Sequence, residues 1–408
     1  MNQKPCDRMS RPASLAQEVC ARLRRVVGQA GSVALHEPYL EGNAWEYVRQ
    51  CLDTGWVSSV GQYVDQFESL LAEYTGVARA VAVVNGTAAL HLALRLVGVG
   101  PDDEVLCPAL SFVATANAIS YCGATPHFVD IEERTLGIDP FRLDAYLREL
   151  VVIRDGAPHN RQTGRLLRAI VPMHTFGHPV DMDPLLEVAS RYRLVVVEDA
   201  AESLGSQYKG RHTGSLGRIA AVSFNGNKIV TTGGGGAILT NDLELANRAK
   251  HVSTTAKVPH RWKYDHDQLG FNYRLPNLNA ALGCAQLELL PEMLAQKRSL
   301  AEEYQRVFRE VQGISVFREA GFATSNYWLN VLLLDESESA HLEEILEATN
   351  EDGIMTRPAW TLLSDLPMYR NCPAMPLPTS RSVQTRAINV PSSVNLGHIA
   401  LQKARYVA

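Results

Sequence analysis

Long apolar runs and an excess of positive charge are both missing from this chain of 408 residues. A membrane-spanning helix needs about 20 consecutive apolar residues, and no run in the sequence approaches that length. The formal net charge is −5, whereas a nucleic-acid-binding domain normally carries a basic patch. We therefore expect a globular protein that binds neither membranes nor nucleic acids.

Closely spaced cysteines and a zinc motif are also absent. The seven cysteines form no C-x-x-C pair, so neither a disulfide framework nor a zinc knuckle is indicated. His174 and His178 have the spacing of zinc ligands on a helix, but Gly177 and the strand predicted before them argue against a helix there. We predict no metal site and a reducing, cytoplasmic location. His174 is then either a pocket residue or a structural histidine.

The first thirty residues lack the uninterrupted apolar stretch of a secretory signal, because Arg22, Arg24 and Arg25 break the only candidate. An arginine-rich transit peptide remains open. We expect instead that residues 1–30 form a helical extension, with a short amphipathic helix packed on the main body.

Short apolar runs alternate with helix-like stretches through the larger part of the chain. Buried strands are predicted at residues 80–84, from 104, at 169–173 and at 194–197, with a helix at 87–96. This alternation predicts an α/β domain with a largely parallel sheet, in which ligands bind at the carboxyl ends of the strands.

From about Leu275 the apolar pattern becomes helical, so we place a large domain at residues 31–275 and a smaller carboxyl-terminal domain at 276–408. The polar segment 154–165 interrupts the strand-helix alternation. It is either a disordered surface loop or a lid over the site.

Lys228 ends the segment 223–228 and precedes four consecutive glycines at 233–236. Apolar runs at 219–222 and 237–239 flank it, which places it on a loop between two buried strands. A lone lysine is usually a solvated surface charge, but a sheltered lysine becomes a nucleophile for a carbonyl carbon. The segment is neither a Walker A loop, since Ile229 follows the lysine, nor a dinucleotide fingerprint.

Further polar candidates lie where predicted strands end. Asp199 either caps the next helix or pairs with the nitrogen of a pyridinium ring. Gly86 and Thr87 form a turn before a helix whose free N–H groups suit a phosphate, although Thr87 alone can serve as a simple cap. Ser223 offers a further hydroxyl to the same phosphate. Phe112 either stacks on a flat ring or packs in the core.

Together these segments resemble the DegT/DnrJ/StrS sugar aminotransferases. These are fold-type-I pyridoxal phosphate (PLP) enzymes with a large, mostly parallel-sheet α/β domain and a smaller α+β carboxyl-terminal domain. The resemblance extends from about Leu35 over nearly the whole chain. Five motifs occur in the family's order: N-G-T-A-A at 85–89, S-F-V-A-T-A-N at 111–117, E-D-A-A-E at 198–202, the segment 223–228 with its glycines, and G-F-N-Y-R at 270–274.

The resemblance implies that Lys228 is the catalytic lysine that holds PLP covalently and that Asp199 pairs with its ring nitrogen. Asn272 matches a residue that reaches the phosphate in the neighbouring subunit, so a homodimer with shared active sites is implied. Relatives in which histidine replaces the lysine are sugar dehydratases, and Lys228 argues against that activity. The family's ring-stacking, phosphate-binding and ring-adjacent positions match Phe112, Gly86, Thr87, Ser223 and Glu202.

A narrower branch of the family shares the motifs L-H-E-P at 35–38, D-T-G-W-V-S-S at 53–59 and T-R-P-A-W at 356–360. It implies transfer of an amino group from L-glutamate to C4 of a UDP-linked 4-keto-6-deoxy-N-acetylhexosamine. Keto sugars linked to GDP or dTDP, of the perosamine type, are the alternative. Each aromatic candidate is equally compatible with core packing, and the expected substrate contacts are Trp56, Ser58, His174, Tyr327, Arg357 and Trp360.

Two other classes of function compete with this interpretation. A nicotinamide dehydrogenase needs a glycine fingerprint between its first strand and helix, which the turn at 85–87 lacks. A PLP-binding regulator without catalysis has no need of both Lys228 and Asp199.

Overall fold

The computed structural model describes residues 14–28 and 31–397, so predictions for the remaining residues lie outside the described part of the chain. In chain order the strands are β1 (Arg79–Val83), β2 (Asp103–Pro108), β3 (Thr125–Val129), β4 (Val151–Arg154), β5 (Ala157–Asn160), β6 (Leu166–Ile170), β7 (Val195–Asp199), β8 (Gln207–Tyr208), β9 (Arg211–His212), β10 (Ile219–Ser223), β11 (Gly236–Thr240), β12 (Ile314–Val316), β13 (Ala323–Thr324), β14 (Asn330–Leu334), β15 (Arg357–Pro358) and β16 (Ala387–Val390).

The α-helices of the described residues are α1 (Leu15–Val27), α2 (Ala44–Thr54), α3 (Gln62–Thr75), α4 (Gly86–Leu96), α5 (Val113–Tyr121), α6 (Pro140–Leu150), α7 (Met182–Arg191), α8 (Leu243–Ser253), α9 (Asn277–Phe308), α10 (Leu342–Glu351) and α11 (Pro378–Gln384). Short 3-10 helices lie at Thr175–Gly177, Glu336–His341 and Leu363–Asp365.

The main sheet has nine strands, seven of which follow the order β1-β11-β10-β7-β6-β2-β3. Within this order only β11 runs against its neighbours, and the other adjacent pairs are parallel. Strands β2 and β11 are buried at every position, as in a parallel sheet covered by helices on both faces. The predicted α/β fold class is confirmed.

Predicted and observed strands differ most around β6. The sequence predicts a strand at 169–173, but β6 begins and ends earlier, at Leu166–Ile170. Pro172 lacks the N–H group that a strand interior needs, so the regular ladder ends before it. Met173 then makes a single bridge to Asp199 at the end of β7.

The prediction of a disordered loop or a lid at 154–165 is wrong. Strands β4 and β5 form an antiparallel hairpin, and His159 pairs with Leu166, the first residue of β6. Asn160 and Thr163 donate hydrogen bonds to the buried carboxylate of Glu104, at 2.8 and 2.5 Å. The hairpin is therefore anchored at the amino-terminal ends of β2 and β6, whereas ligands bind at the opposite ends of such strands.

A second, antiparallel sheet of four strands has the order β12-β14-β16-β15. Helix α9 connects the two sheets, because Ala280 and Leu290 pack in a core with β10 and β11, while Leu300 and Tyr304 pack with β14 and β16. The helix begins at Asn277, close to the predicted boundary at 275. The division into domains stays a prediction.

Helix α1 lies within the predicted amino-terminal extension and packs on the second sheet's core. Its buried Val19, Leu23 and Val26 share a cluster with Leu300 of α9 and Ile354. Ser14 caps its start in a capping box with Gln17. None of the helices described in residues 14–28 and 31–397 is long and apolar enough to cross a membrane.

Candidate active site

A cavity of about 970 Å³ lies between the carboxyl ends of the main-sheet strands and the four-stranded sheet. Its two sides differ in origin, and we name them by the sheet that carries them. The large-sheet wall comprises Asn85, Gly86, Thr87, Leu90, Phe112, Asp199, Glu202, Ser223 and Lys228. The small-sheet wall comprises Ala34, Leu35, His36, Trp328, Met355, Arg357, Trp360 and Asn389.

Lys228 enters the pocket on the connection between β10 and β11, where the sequence places it. Its Nζ atom lies 3.2 Å from Oε1 of Glu202 and 3.9 Å from the centre of the Trp328 ring. The side chain is only 12% exposed. A sheltered amine beside a carboxyl group has the surroundings of a nucleophilic lysine.

Asp199 is the last residue of β7, and its carboxyl group faces the pocket from within the sheet. Thr115 donates a hydrogen bond to Oδ2 at 2.8 Å, and the backbone N–H of Ala201 donates to Oδ1 at 3.2 Å. Burial raises the pKa of Asp199, although these two hydrogen bonds act in the opposite direction. Both donors are neutral, so a cation at this place would stabilise the carboxylate.

Glu202 lies one turn of chain beyond Asp199 and is equally buried. Its Oε2 atom accepts a hydrogen bond from the backbone N–H of Phe176 at 2.9 Å, and Oε1 faces Lys228. Burial raises the pKa of Glu202 to about 7, against the opposing effect of the Lys228 ammonium group. At neutral pH this carboxyl group can therefore hold or release a proton beside the lysine.

The start of α4 forms a corner suited to an anion. Asn85 caps the helix by accepting a hydrogen bond from the N–H of Ala88 at 2.7 Å. The N–H groups of Gly86 and Thr87 open the helix, where no intrahelical acceptor is available and the helix dipole is positive. A Cβ atom at Gly86 would lie 2.7 Å from the Cβ of Ser223, so glycine lets this turn lie against the Ser223 hydroxyl.

Phe112 supplies an open aromatic face. It precedes α5 and remains 48% exposed, which excludes the core position left open by the sequence. Its ring centre lies 6.2 Å from that of Trp360, and the Trp360 ring lies 4.7 Å from Phe176. The pocket thus has an aromatic side on which a flat ring can stack.

The large-sheet wall fits pyridoxal phosphate. It places an amine for the aldehyde carbon at Lys228 and a buried carboxylate for the ring nitrogen at Asp199. It adds helix N–H groups and the Ser223 hydroxyl for the phosphate, and the face of Phe112 for the ring. The close approach of Gly86 to Ser223 joins the phosphate corner to the strand that leads to the lysine.

His174 and Tyr327 do not line the pocket, so the structure does not support their assignment as substrate contacts. His174 is fully buried, and its Nε2 bonds to Oε2 of Glu198 at 3.0 Å, while Nδ1 accepts from the N–H of Val180. Tyr327 is 4% exposed, and the centre of its ring lies 5.7 Å from the Arg298 guanidinium. Both side chains are held by contacts inside the protein. Of the two alternatives for His174, a pocket residue or a structural histidine, the structure favours the structural histidine.

Trp56, Ser58 and Asn272 also lie outside this pocket. Trp56 borders a separate cavity beside α2 and α3, and the carbonyl of Ser58 accepts a hydrogen bond from the N–H of Asn277. Asn272 is exposed and accepts a hydrogen bond from Nε of Arg274 at 2.9 Å. Within one chain, only Arg357 and Trp360 of the expected substrate contacts reach the cavity.

Several pocket residues were missed by the sequence argument, among them Trp328, His36 and Asn389. Trp328 holds the Lys228 side chain on its ring and donates a hydrogen bond from Nε1 to the carbonyl of Asn227 at 2.7 Å. His36 and Asn389 lie on the opposite wall. An aromatic or amide residue in an apolar run carries no local signal of a pocket position, although His36 lies within the L-H-E-P motif.

Comparison with known proteins places the chain among aminotransferases. Residues 38–404 match the DegT/DnrJ/EryC1/StrS aminotransferase family. The GDP-perosamine synthase of Caulobacter vibrioides is 38% identical over 365 residues, which cover 89% of this chain and 94% of that protein. The UDP-2-acetamido-2-deoxy-3-oxo-D-glucuronate aminotransferase of Pseudomonas aeruginosa is 35% identical over 270 residues, covering 64% and 70%.

The fold agrees with a solved structure of the same kind. The aminotransferase TlmJ from Streptoalloteichus hindustanus superimposes with a TM-score of 0.79 at 26% sequence identity. The match covers 92% of this chain and 100% of that one. The arrangement of the main sheet is thus that of a fold-type-I PLP enzyme.

Proposed function

The chain belongs to the DegT/DnrJ/EryC1/StrS family of PLP-dependent sugar aminotransferases, and from that premise we propose that it moves an amino group from L-glutamate to C4 of a nucleotide-linked keto sugar. The observation that carries this proposal is the position of the Lys228 amine. It lies beside Glu202, on the same wall as Asp199, and faces a second wall that bears Arg357.

Bound PLP supplies a carbon that accepts the amino group and a ring that takes up electrons from the adjoining carbon. Lys228 binds the cofactor in the resting enzyme. Once released from the cofactor, the Nζ atom of Lys228 takes a proton from the α-carbon of the amino donor. The lysine is part of the protein chain, which keeps its amine close to that carbon. With the keto sugar the same amine moves a proton in the opposite direction.

Asp199 and Glu202 set the charge around that proton transfer. The Asp199 carboxylate holds a proton on the ring nitrogen, because an opposite charge in a buried site stabilises both partners. Glu202, with a pKa raised to about 7 by burial, exchanges a proton with Nζ of Lys228 across 3.2 Å.

Arg357 is the group that we assign to the diphosphate of the sugar nucleotide. It lies on β15 at the exposed rim of the pocket, and its Nη1 donates to the carbonyl of Thr356 at 2.8 Å and to Oδ1 of Asn350 at 3.0 Å. These neutral acceptors hold the guanidinium in place without neutralising its charge. A guanidinium held in this way matches phosphate oxygens.

The nucleotide that we infer is GDP, with a keto sugar of the perosamine type. This choice rests on the similarity to GDP-perosamine synthase over nearly the full length of both chains. A UDP-linked 4-keto-6-deoxy-N-acetylhexosamine is the second candidate. It is favoured by the motif at 356–360 and by the similarity to an aminotransferase that is named for a UDP-linked sugar.

A homodimer with shared active sites is part of the same proposal. Asn272 lies outside its own chain's pocket, and the segment before it exposes Trp262, Tyr264 and Leu269 at 69%, 78% and 80%. Large apolar side chains exposed to this extent in one segment support an interface there. Light scattering of the purified protein tests this point, and a monomeric mass would remove it.

A panel of 4-keto sugars linked to GDP, UDP and dTDP, each supplied with L-glutamate, tests the function. We expect an amino sugar from the GDP-linked compound, read by mass spectrometry, and none from the Lys228→Ala enzyme. Lys209→Ala is the matched control, because Lys209 pairs with Asp183 on the surface. Product from the UDP compound alone would select the second candidate, and no product from any compound would refute the proposal.

A further inference from the structure

Lys297 is a fully buried lysine behind the small-sheet wall. It lies on α9, and its Nζ atom contacts three possible acceptors: Nε2 of His36 at 3.1 Å, the carbonyl of Trp328 at 3.1 Å and the carbonyl of Ser392 at 2.5 Å. An ammonium group has three N–H donors and no acceptor. All three contacts are therefore used when the amine is charged.

These contacts determine how His36 uses its ring. When Lys297 is charged, Nε2 of His36 must accept, so the ring proton lies on Nδ1. Burial lowers the pKa of Lys297 to about 7. In the uncharged form the two carbonyls still take the two N–H groups, Nε2 of His36 then donates to the lysine, and Nδ1 becomes an acceptor. Nδ1 of His36 is therefore a donor when Lys297 is charged and an acceptor when Lys297 is uncharged.

Nδ1 of His36 and Oδ1 of Asn389 have no hydrogen-bond partner among the residues that the structure describes. Both atoms are buried, and both side chains belong to the small-sheet wall of the pocket. Asn389 is only 3% exposed. Eight buried side-chain atoms of the described residues lack a partner, and these two are the ones in residues that line the pocket, where a bound group can supply what the chain does not.

The backbone brings these two side chains to the same wall. Asn389 pairs with Arg357 across β15 and β16. The segment that leads to His36 is fixed beside them, because the carbonyl of Leu35 accepts a hydrogen bond from the N–H of Ser392 at 2.7 Å. Asn389 is thus part of the sheet that carries Arg357, and His36 adjoins it in the lining of the same cavity.

We propose that His36 and Asn389 form a subsite that binds hydroxyl groups of the sugar ring, with Lys297 as the residue that positions His36. The inference rests on the proposed function and names the part of the small-sheet wall that recognises the sugar. A hydroxyl both donates and accepts, so it can serve Oδ1 of Asn389 and either state of Nδ1. The carboxylates of glutamate and the ionised diphosphate only accept and leave Asn389 unpaired.

The test compares binding of a nucleotide with that of its sugar conjugate, using GDP with GDP-mannose and UDP with UDP-N-acetylglucosamine in calorimetry on the PLP-loaded enzyme. His36→Leu and Asn389→Leu should each weaken binding of the sugar nucleotide about ten-fold. Binding of the free nucleotide should not change. His36→Asn places an amide nitrogen near the position of Nδ1 and should restore most of the affinity.

The role of Lys297 is tested by a double-mutant cycle. Lys297→Met should weaken sugar-nucleotide binding about as much as His36→Leu, and the double variant should be no weaker than either single one, because Lys297 acts through His36. Fully additive losses would overturn that role. If Lys297→Met does not fold, the gain from His36→Leu to His36→Asn still tests whether Nδ1 of His36 bonds to the sugar.

Other outcomes separate the subsite from the proposed function. The absorbance change of the cofactor on adding glutamate reports the first half-reaction, and it should be unaffected in all these variants. A slower glutamate reaction in His36→Leu would assign the subsite to the amino donor and refute the proposal. Unchanged affinities in the variants would refute the subsite alone, whereas a wild-type enzyme that binds neither sugar nucleotide would remove the proposed function as well.

Discussion

The two walls of the pocket are built in different ways. Polar groups of the large-sheet wall lie at strand ends or soon after them: Asp199 ends β7, Gly86 lies three residues after β1, and Lys228 lies five residues after β10. The small-sheet wall collects His36, Trp328 and Asn389 from segments that are far apart in the chain. One wall is a set of local motifs and the other is a product of tertiary packing.

This difference separates two tasks. By our proposal, the amine, the carboxylates and the anion corner of the large-sheet wall serve the cofactor in both half-reactions. The small-sheet wall bears Arg357 and the subsite, which by our proposals contact only the sugar nucleotide. Changes on the first wall should therefore slow both half-reactions, whereas changes at Arg357, His36 or Asn389 on the second wall should affect only the sugar.

Asp199→Asn is expected to give the largest effect of the substitutions that follow. The amide keeps the size and the hydrogen bond with Thr115 but removes the charge that holds a proton on the ring nitrogen. Loss of one such electrostatic group costs about 10²–10³-fold in rate. Cofactor absorbance, followed separately with glutamate and with keto sugar, should show both half-reactions slowed.

The control for that variant is Asp183→Asn, which breaks only a surface pair with Lys209 and should leave both rates unchanged. If Asp199→Asn slowed the sugar half-reaction alone, the division of tasks between the walls would fail.

The large-sheet wall was predictable from the sequence because its chemistry is local. Lys228, Asp199 and the turn at Gly86 lie at strand ends, and strand ends can be located from the apolar runs before them. His174 shows the limit of this reasoning. It also follows a predicted strand, but it bonds to Glu198, whose side chain points to the face of β7 opposite to that of Asp199.

The small-sheet wall was not predictable in the same way. The proximity of His36 to Asn389 depends on pairing between the segment at 33–35, residues 353–355 and Ser392. Such pairings between distant segments leave no periodic signal in the sequence. Arg357 and Trp360 were identified only through the T-R-P-A-W motif of the family resemblance, and not from the pattern of apolar residues around them.

The variant Glu202→Gln tests how the buried carboxyl group of Glu202 affects the free energy of unfolding at different pH values. Burial raises the pKa of Glu202 from 4.5 to about 7, so the folded chain binds this proton more tightly than the unfolded chain. Its contribution to stability is present below pH 4.5 and is lost as pH rises through 7. The change is on the order of 3 kcal/mol, because one pKa unit corresponds to about 1.4 kcal/mol.

The measurement is urea unfolding of the cofactor-free protein between pH 4.5 and pH 8. Glutamine does not titrate, so the wild-type protein should lose stability relative to Glu202→Gln as the pH rises. Parallel stability curves would contradict the raised pKa of Glu202.

Arg357→Ala should give the smallest of the three effects, and it is the one that most directly tests the separation of the walls. A charge-assisted hydrogen bond to the diphosphate is worth about 1.5–3 kcal/mol, so the Kd of the preferred sugar nucleotide should rise at least ten-fold. The glutamate half-reaction should keep its rate, because Arg357 lies on the wall that does not hold the cofactor.

Arg381→Ala, which breaks a surface pair with Asp365, is the matched control. Unchanged affinity for both GDP- and UDP-linked sugars would remove Arg357 from the site, and a slower glutamate reaction would mean that the small-sheet wall also serves the amino donor.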